Sequence, residues 1–314
     1  MRIVFMGTPE FAAICLKELI DSKHEVVGVV SVADKPAGRG RKLRQSAVAQ
    51  LANEENLLLM QPTRLKDEAF IDQLKSLNAD IFVVVAFRML PKEVWQIPPK
   101  GTFNLHASLL PQYRGAAPIN WAIINGETES GVTTFLIDEQ IDTGNILLKE
   151  KVQILPNENA GDLHDKLVEV GKKLIIQTID GLENNSIHAK PQEELVDLKP
   201  APKIFKEDCQ IDWNDLIENI HKKIRGLSPY PAAWTQLKKD EEIKVHKIYK
   251  GHYDKKENSA DKIHKISFEN NQMIVHLKDG DFYIEEIQAE GKRRMSIHDF
   301  INGLQDKTDW FISN

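Results

Sequence analysis

Cysteine is almost absent from this chain of 314 residues, which holds only Cys15 and Cys209, far apart and outside any Cys-x-x-Cys pair. This scarcity argues against a disulfide scaffold and a structural zinc site, and it fits a reducing compartment. The sequence also lacks an apolar run of about 18 residues, the length that a membrane-spanning helix needs. Because the first residues lack the basic and apolar regions of a signal peptide, we expect a cytoplasmic protein without a membrane partner.

Net positive charge is missing as well, since the formal net charge is −6 at pH 7. A protein coated in positive potential is thereby excluded, so any contact with nucleic acid must come from a local patch. One such patch is visible, because the run from Asp34 to Arg44 holds five basic residues and one acidic residue. The basic residues are Lys35, Arg39, Arg41, Lys42 and Arg44.

A third absence concerns the turn after the first strand-like run. Gly7-Thr-Pro-Glu-Phe stands where a dinucleotide-binding protein has its Gly-x-Gly-x-x-Gly fingerprint, and Pro9 removes an amide donor. A nicotinamide cofactor is therefore not expected. Taken alone, the segment is explained equally well by a tight turn that opens a helix at a proline.

The apolar pattern divides the chain in two. Its length favours two domains, and 41% hydrophobic residues are ample for a core. Up to about residue 182, β-rich runs alternate with helical periodicity, which predicts an α/β domain around a mainly parallel sheet with the apolar run 81–86 as a central strand. Short β-like runs near the C-terminus predict a small β-barrel. We place a first domain at 1–189, a linker at 190–206 and a second domain at 207–314.

Asn104 and His106 are the strongest candidates for chemistry. They lie two residues apart near the end of a predicted strand, so both side chains leave one face at the edge where open α/β sheets bind ligands. A carboxamide that stabilises an oxyanion beside an imidazole that accepts a proton is what acyl transfer to an amine requires. Taken alone, a turn-capping asparagine and a buried, hydrogen-bonded histidine explain the pair better, and that bland interpretation also applies to the other nine histidines.

Asp142, in Ile-Asp-Thr-Gly, follows a strand-like run and precedes a glycine turn. It is explained as an ordinary turn aspartate, or as a carboxylate that orients His106 in the manner of the third member of a catalytic triad. The spacing leaves both explanations open.

Five motifs follow one another along the chain: Met-Gly-Thr-Pro-Glu-Phe, Asp-Lys-Pro-Ala-Gly-Arg-Gly-Arg-Lys-Leu, Asn-Leu-His-Ala-Ser-Leu-Leu-Pro, Tyr-Arg-Gly-Ala-Ala-Pro-Ile and Ile-Asp-Thr-Gly. Their order and spacing resemble those of the methionyl-tRNA formyltransferases, within the folate-dependent formyltransferases. The likeness covers essentially the whole chain, including Gly-Lys-Arg-Arg-Met-Ser at 291–296.

The resemblance implies a Rossmann-like formyltransferase domain followed by an OB-like barrel. It implies transfer of a formyl group from 10-formyltetrahydrofolate to the α-amino group of methionyl initiator tRNA by a monomer, without a metal. The family's catalytic residues fall on Asn104, His106 and Asp142. Its folate contacts fall on Phe87, Arg88, Met89, Leu90, Ser108, Leu109, Leu110 and Pro111. Its tRNA-contacting loop falls on Arg39, Arg41, Lys42 and Arg44.

One segment departs from the family's pattern. Many members have Ala-Tyr-Gly-x-Ile-Leu-Pro where this chain has Ala-Phe-Arg-Met-Leu-Pro at 86–91, one residue shorter and without the glycine. The backbone contacts of this part of the pterin pocket are therefore carried over less directly from the resemblance.

Two other functions fit parts of the pattern. A formyltransferase for a sugar nucleotide or another small amine has no evident use for the basic run. A tRNA-binding module without catalysis is opposed by the three intact catalytic positions.

Overall fold

The computed structural model describes residues 1–37, 42–194, 196–308 and 310–313, with the backbone alone at 35–37 and 42–43. The chain divides into two compact units. The first is built from Met1–Gly115, Glu129–Gln153 and Asp165–Ala201, and the second from Ala116–Thr128, Ile154–His164 and Pro202–Asn314. The limits 1–189, 190–206 and 207–314 remain a prediction.

Strands and helices alternate over the first 183 residues, as the sequence pattern predicts. They are β1 (Arg2–Gly7), α1 (Glu10–Ile20), β2 (Glu25–Val30), β3 (Lys35–Ala37), β4 (Lys42–Arg44), α2 (Ala47–Glu54), β5 (Leu59–Met60), α3 (Glu68–Ser76), β6 (Ile81–Val85), α4 (Lys92–Trp95), β7 (Thr102–His106), α5 (Pro118–Ile124), β8 (Glu129–Leu136), β9 (Ile146–Gln153) and α6 (Ala160–Glu183). Helix α5 belongs to the second unit.

Seven strands form the main sheet of the first unit, in the order β5-β2-β1-β6-β7-β8-β9. The five strands from β5 to β7 run parallel, whereas β8 and β9 are antiparallel to their neighbours. Every residue of β6 is buried, as expected for an apolar run covered on both faces of a sheet. The Rossmann-like α/β prediction is confirmed. Because β1, β6 and β7 are parallel, their carboxyl ends meet at one edge, where His106 is the last residue of β7.

Helix α1 buries one apolar face. Its buried residues recur at helical spacing and form one apolar face. Cys15 lies on that face, and burial raises the pKa of its thiol to about 12, so it is an inert core residue. The face consists of Phe11, Ala12, Cys15, Leu16 and Leu19.

The second unit is a closed antiparallel barrel, which confirms the prediction of an OB-like β-barrel. Its strands pair in the order β11-β10-β16-β12-β13-β14, and β14 returns to pair with β11. The fully buried Trp213 and Phe282 pack edge to face inside it. Its elements are a 3-10 turn (Glu207–Cys209), α7 (Ile217–Leu227), β10 (Ala233–Lys239), β11 (Glu242–Lys255), β12 (Lys265–Glu269), β13 (Gln272–Leu277), β14 (Gly280–Ala289), β15 (Met295–Ser296), α8 (Ile297–Asn302) and β16 (Trp310–Ser313).

Two details differ from the sequence pattern. The basic segment is not a plain loop, because β3 and β4 pair antiparallel at its two ends. The start of the proline-containing linker is anchored to the sheet, because Lys190 and Ile146 exchange two backbone hydrogen bonds, of 2.7 and 2.8 Å. Over the described ranges, no helix has the length and apolar character needed to cross a membrane.

Candidate active site

The site begins on β7, the strand between β6 and β8. Asn104 pairs with Val84 of β6 and His106 with Thr133 of β8, so the two side chains leave the same face of the sheet. The imidazole of His106 is buried, with a residue exposure of 6%, and Asn104 is half-buried. Within the described part of the chain, no protein group hydrogen-bonds the Asn104 carboxamide, so its donors remain available to a ligand.

One nitrogen of His106 is fixed by the backbone. Its Nε2 lies 2.8 Å from the carbonyl oxygen of Tyr113, and because a carbonyl only accepts, Nε2 must carry a proton. In the neutral ring Nδ1 is therefore the proton acceptor. Nδ1 lies 3.7 Å from Oδ2 of Asp142, beyond hydrogen-bond distance. The open nitrogen thus faces a carboxylate across a gap that a proton donor can bridge.

Asp142 is held by the backbone rather than by the imidazole. The amide of Gly115 donates to its Oδ2 at 2.9 Å. The residue itself has a φ of 55°, which aspartate tolerates better than most residues. The turn also requires Gly144, where an added Cβ would lie 1.7 Å from the carbonyl oxygen of Leu136. The Asp-Thr-Gly motif therefore serves the turn and presents the carboxylate to His106.

Backbone strain in the first unit marks the same place. Apart from glycine and asparagine, its described residues adopt a left-handed φ only at Ala86, Tyr113 and Asp142, with values of 46°, 60° and 55°. Each such residue costs roughly 1–3 kcal/mol and persists where the surroundings enforce it. Tyr113 accepts the hydrogen bond from His106 and Asp142 faces the ring, so both belong to the site, and Ala86 directly follows β6 at the same edge of the sheet.

The loop after His106 is tied to the antiparallel edge of the sheet. Thr133 donates to the carbonyl of Ser108 at 2.6 Å and accepts from the amide of Leu110 at 3.1 Å. Ser108 in turn donates to the carbonyl of Gln112 at 2.7 Å, and the Lys149 ammonium donates to the Leu110 carbonyl. Sequence reasoning missed Thr133 and Lys149. Their only signal is position, because Thr133 lies on β8 and Lys149 stands opposite it on β9, and the sequence pattern does not give this register.

The predicted folate residues fall into two groups. Ser108, Leu110 and Pro111 are buried and Leu109 is half-buried, in the loop that directly follows His106. In the other segment, Met89 is 67% exposed, whereas Phe87 and Leu90 pack into the core.

Arg88 is half-buried, and its side chain bonds to a neighbouring loop. Its guanidinium donates to the carbonyl of Thr63 at 3.1 Å and also to that of Pro62. Burial lowers the pKa of Arg88, and its Nε is buried with no partner among the described residues. Where the family pattern has a glycine, this chain therefore has a residue that braces a neighbouring loop.

The predicted tRNA residues are only partly described. Arg39 and Arg41 lie outside the described residues, and Lys42 is described only by its backbone in β4. Arg44 ends β4, is exposed and pairs with Lys35 of β3. Among the described residues, the one group with three metal-type ligands is His24, Asp180 and Glu183, none of which is a predicted site residue.

Comparisons with known proteins bear on both units. Residues 1–179 match the family model described as formyl transferase, and residues 203–305 match the one described as formyl transferase, C-terminal domain. A methionyl-tRNA formyltransferase of Flavobacterium johnsoniae is 51% identical over 305 residues, covering 97% of this chain and 96% of that protein. One of Bacteroides thetaiotaomicron is 46% identical over 309 residues, covering 97% and 96%.

Among solved structures, the N-formyltransferase from Helicobacter canadensis, in complex with folinic acid and dTDP-3-aminofucose, has a TM-score of 0.65. It is 20% identical, and the match covers 91% of this chain and 98% of that one. At this identity the likeness concerns the fold.

Proposed function

Because the chain belongs to the formyl transferase family, we propose that it moves a formyl group from 10-formyltetrahydrofolate to the α-amino group of methionyl initiator tRNA. The relatives that share its full length at 51% and 46% identity carry the name of that activity. The observation that carries the chemistry is the open Nδ1 of His106, 3.7 Å from the Asp142 carboxylate, in a ring whose other nitrogen is already bonded.

His106 acts as the general base. The amine of the methionyl group attacks the formyl carbon and becomes positively charged, so it must lose a proton. Nδ1 accepts that proton, while Nε2 stays bonded to the Tyr113 carbonyl and keeps the ring in place. Asp142 then faces an imidazolium, and its negative charge stabilises the charged ring.

Asn104 stabilises the oxygen that gains negative charge. The carboxamide shares its strand face with His106, and its donors are not used by other described groups. When the bond between the formyl carbon and the folate nitrogen breaks, that nitrogen takes up a proton, which His106 returns directly or through a water near Asp142. The products are the formylated amine and tetrahydrofolate, so protons and electrons balance.

We place the folate against the two segments that the resemblance indicates. The half-buried Phe87 contributes apolar surface backed by the buried Leu90, and Leu109 to Pro111 close the pocket. We place the acceptor end of the tRNA at the basic segment, which follows β2 and so leaves from the carboxyl end of a parallel strand, as His106 does. We also propose that the protein acts as a monomer in the cytoplasm.

A formyl-transfer assay separates the competing functions. The purified chain is given 10-formyltetrahydrofolate with methionyl initiator tRNA, methionyl elongator tRNA, or an amino-sugar nucleotide. We expect rapid formylation of the initiator tRNA alone. Preferred transfer to the sugar nucleotide, the kind of ligand in the Helicobacter canadensis complex, would replace this proposal, and tRNA binding without transfer to any amine would leave a binding module.

The role of Arg39 and Arg41 is tested by salt dependence. Arg39→Ala and Arg41→Ala should weaken tRNA use and leave folate affinity nearly unchanged. If an arginine contacts phosphate, its loss should reduce the slope of log affinity against log salt by roughly one unit. If it recognises the end of the acceptor stem, discrimination between initiator and elongator tRNA should fall with little change in slope.

Arg64→Ala is the matched control, because Arg64 is an exposed arginine outside the basic run. Equal effects at Arg64 and at the two loop arginines would mean that the variants report general charge. Unaltered tRNA kinetics in a variant that combines Arg39→Ala with Arg41→Ala would mean that the basic segment is only a solvated surface.

A further inference from the structure

A strap of residues, 190–194 and 196–201, crosses the active-site loop of the first unit. The carbonyl of Lys199 accepts from the amide of Tyr113 at 2.7 Å, and the amide of Ala201 donates to the carbonyl of Arg114 at 2.9 Å. At Gly115 the approach is so close that an added Cβ would lie 2.4 Å from the Ala201 oxygen. The strap therefore lies directly on the residues that surround His106, although its sequence has the composition of a linker.

Gln192 is the strap residue that reaches the catalytic turn. Its Oε1 accepts from Nε and Nη2 of Arg114 at 3.2 and 2.6 Å. Its Nε2 donates to the carbonyls of Asp142 and Gly144 at 2.8 and 2.9 Å. A guanidinium only donates and a carbonyl only accepts, so one orientation of the amide satisfies all four bonds and the reverse satisfies none.

These bonds hold the two ends of the Asp142 turn. The backbone of Asp142 is in a left-handed conformation, which needs outside support, and Gln192 supplies it from the carbonyl side. Gly115 supplies it from the carboxylate side. Because the gap between Oδ2 and the His106 nitrogen is only 3.7 Å, a small rotation of this turn would change the electrostatic support of the imidazolium.

From this geometry we propose that Gln192 is a positioning residue, which acts through Asp142 to hold the carboxylate at its working distance from His106. The proposal rests on the function proposed above for His106 and Asp142. Arg114 acts together with Gln192, because its guanidinium fixes the orientation of the Gln192 amide.

A second glutamine provides a matched control. Gln112 also fastens the strap through its side-chain amide, which donates to the carbonyl of Asp197 at 3.0 Å and accepts from the amide of Lys199 at 2.7 Å. These bonds stop short of the Asp142 turn. Gln112→Ala therefore removes two side-chain hydrogen bonds between the strap and the same loop without loosening the carboxylate.

The experiment is a double-mutant cycle. Gln192→Ala, Gln192→Glu and Gln112→Ala are made in the full-length chain, each alone and with Asp142→Asn, and formyl transfer to methionyl-tRNA is followed as a function of pH. We expect either change at Gln192 to lower kcat about tenfold, with KM changed less than about twofold, and to alter the pH profile in the same direction as Asp142→Asn. In the Asp142→Asn background the Gln192 changes should cost little more.

Gln112→Ala should give the same fold-change in both backgrounds and leave the pH profile as it is. Additive losses at Gln192 and Asp142, or an unchanged pH profile in Gln192→Ala, would overturn the proposal. A wild-type chain that formylates no tRNA would overturn the proposed function instead. In that case the NMR chemical shifts of the His106 ring still decide, because Gln192→Ala must change them in the same direction as Asp142→Asn does, and Gln112→Ala must not.

Discussion

A histidine–aspartate pair in the first unit and another in the barrel have the same composition and differ in which hydrogen-bonding atoms they leave unused. In the first unit, His106 and Asp142 have side-chain exposures of 7% and 13%, and Nδ1 lies 3.7 Å from Oδ2. In the barrel, His276 and Asp281 have exposures of 12% and 3%, and Nδ1 lies 2.7 Å from Oδ1. Burial alone does not distinguish the pairs.

The barrel pair is closed. His276 stands opposite Asp281 across the β13–β14 hairpin, and its second nitrogen bonds the hydroxyl of Ser267 at 2.9 Å. The carboxylate of Asp281 also accepts from Asn258 at 2.8 Å and from the Lys256 ammonium. Burial pushes the pKa of Asp281 up, but the hydrogen bonds from Lys256, His276 and Asn258 together outweigh it and hold the pKa below its usual value.

The hydrogen bonding of the two pairs shows which feature distinguishes a catalytic pair from a structural one. A Ser-His-Asp order of contacts is present in the barrel, yet every partner there is used by another protein group, as in a structural network. In the first unit the protein fixes one ring nitrogen and the carboxylate separately, and it leaves the second nitrogen facing a gap. Incomplete hydrogen bonding at a strained, well-supported place is the stronger mark of an active site.

The largest predicted change is a loss of catalytic rate, which we expect at the first-unit pair and not at the barrel pair. His106→Ala and Asn104→Ala should each lower kcat/KM at least about 100-fold, the usual scale for loss of a positioned base or an oxyanion donor. His276→Ala should change kcat/KM by less than about threefold. Steady-state formylation of methionyl-tRNA by variants with a wild-type circular dichroism spectrum measures all three. Near-native activity of folded His106→Ala would remove that residue from the mechanism.

The next prediction concerns stability, for which we expect the barrel pair to matter. Asp281→Ala should lower the free energy of unfolding by about 2–3 kcal/mol, because it leaves a lysine and a histidine without their buried partner. Urea unfolding followed by tryptophan fluorescence measures this loss. Glu269→Ala, at an exposed carboxylate of the same barrel, serves as the control and should stay within about 0.5 kcal/mol. A comparable loss at both positions would mean that the Asp281 network is not special.

A smaller effect tests the role of the Asp142 carboxylate, which faces the open nitrogen of His106. Asp142→Asn keeps an oxygen that can accept from the Gly115 amide but loses the charge that faces His106. We expect kcat to fall about tenfold with a changed pH profile, while the unfolding free energy changes by less than about 1 kcal/mol. An unchanged rate and pH profile would make Asp142 an ordinary turn residue.

Much of the fold could be predicted from the sequence, because periodicity reports burial directly. The apolar run at 81–86 predicts a central strand and β6 is one, and the short runs after residue 230 predict a barrel that the structure closes. The placement of Asn104 and His106 on one face at the end of a strand follows from the same reasoning.

The supporting contacts could not be predicted in this way. Gln192 lies 50 residues from Asp142 in a segment without periodicity, so nothing local indicates that they are bonded. The Ser267 contact that closes the barrel pair was missed for the same reason, because His276 meets Ser267 only through the pairing of β12 with β13. Strand order and register are long-range properties, whereas sequence patterns describe one element at a time.

The last prediction concerns a third histidine, one that is half-buried against aromatic rings instead of an aspartate. His221 of α7 lies 5.2 Å from the ring of Tyr253 and 6.4 Å from that of Phe282, between ring centroids. Burial, together with the nearby Arg225 charge, lowers the pKa of His221 to about 4 from its usual 6.5. The folded protein therefore keeps this ring neutral in a range where the unfolded chain protonates it.

The sign of the pH dependence follows from that difference. Between pH 6.5 and about 4 the unfolded state binds more protons at His221, so its contribution to stability is full above pH 6.5 and declines as the pH falls, by at most about 1.4 kcal/mol per pH unit. His221→Phe keeps an aromatic ring and removes the titration. The difference in unfolding free energy between wild type and this variant should be constant above pH 6.5 and should shift in favour of the variant below it. A difference that stays constant down to pH 4 would show that the folded barrel protonates His221 as readily as the unfolded chain does.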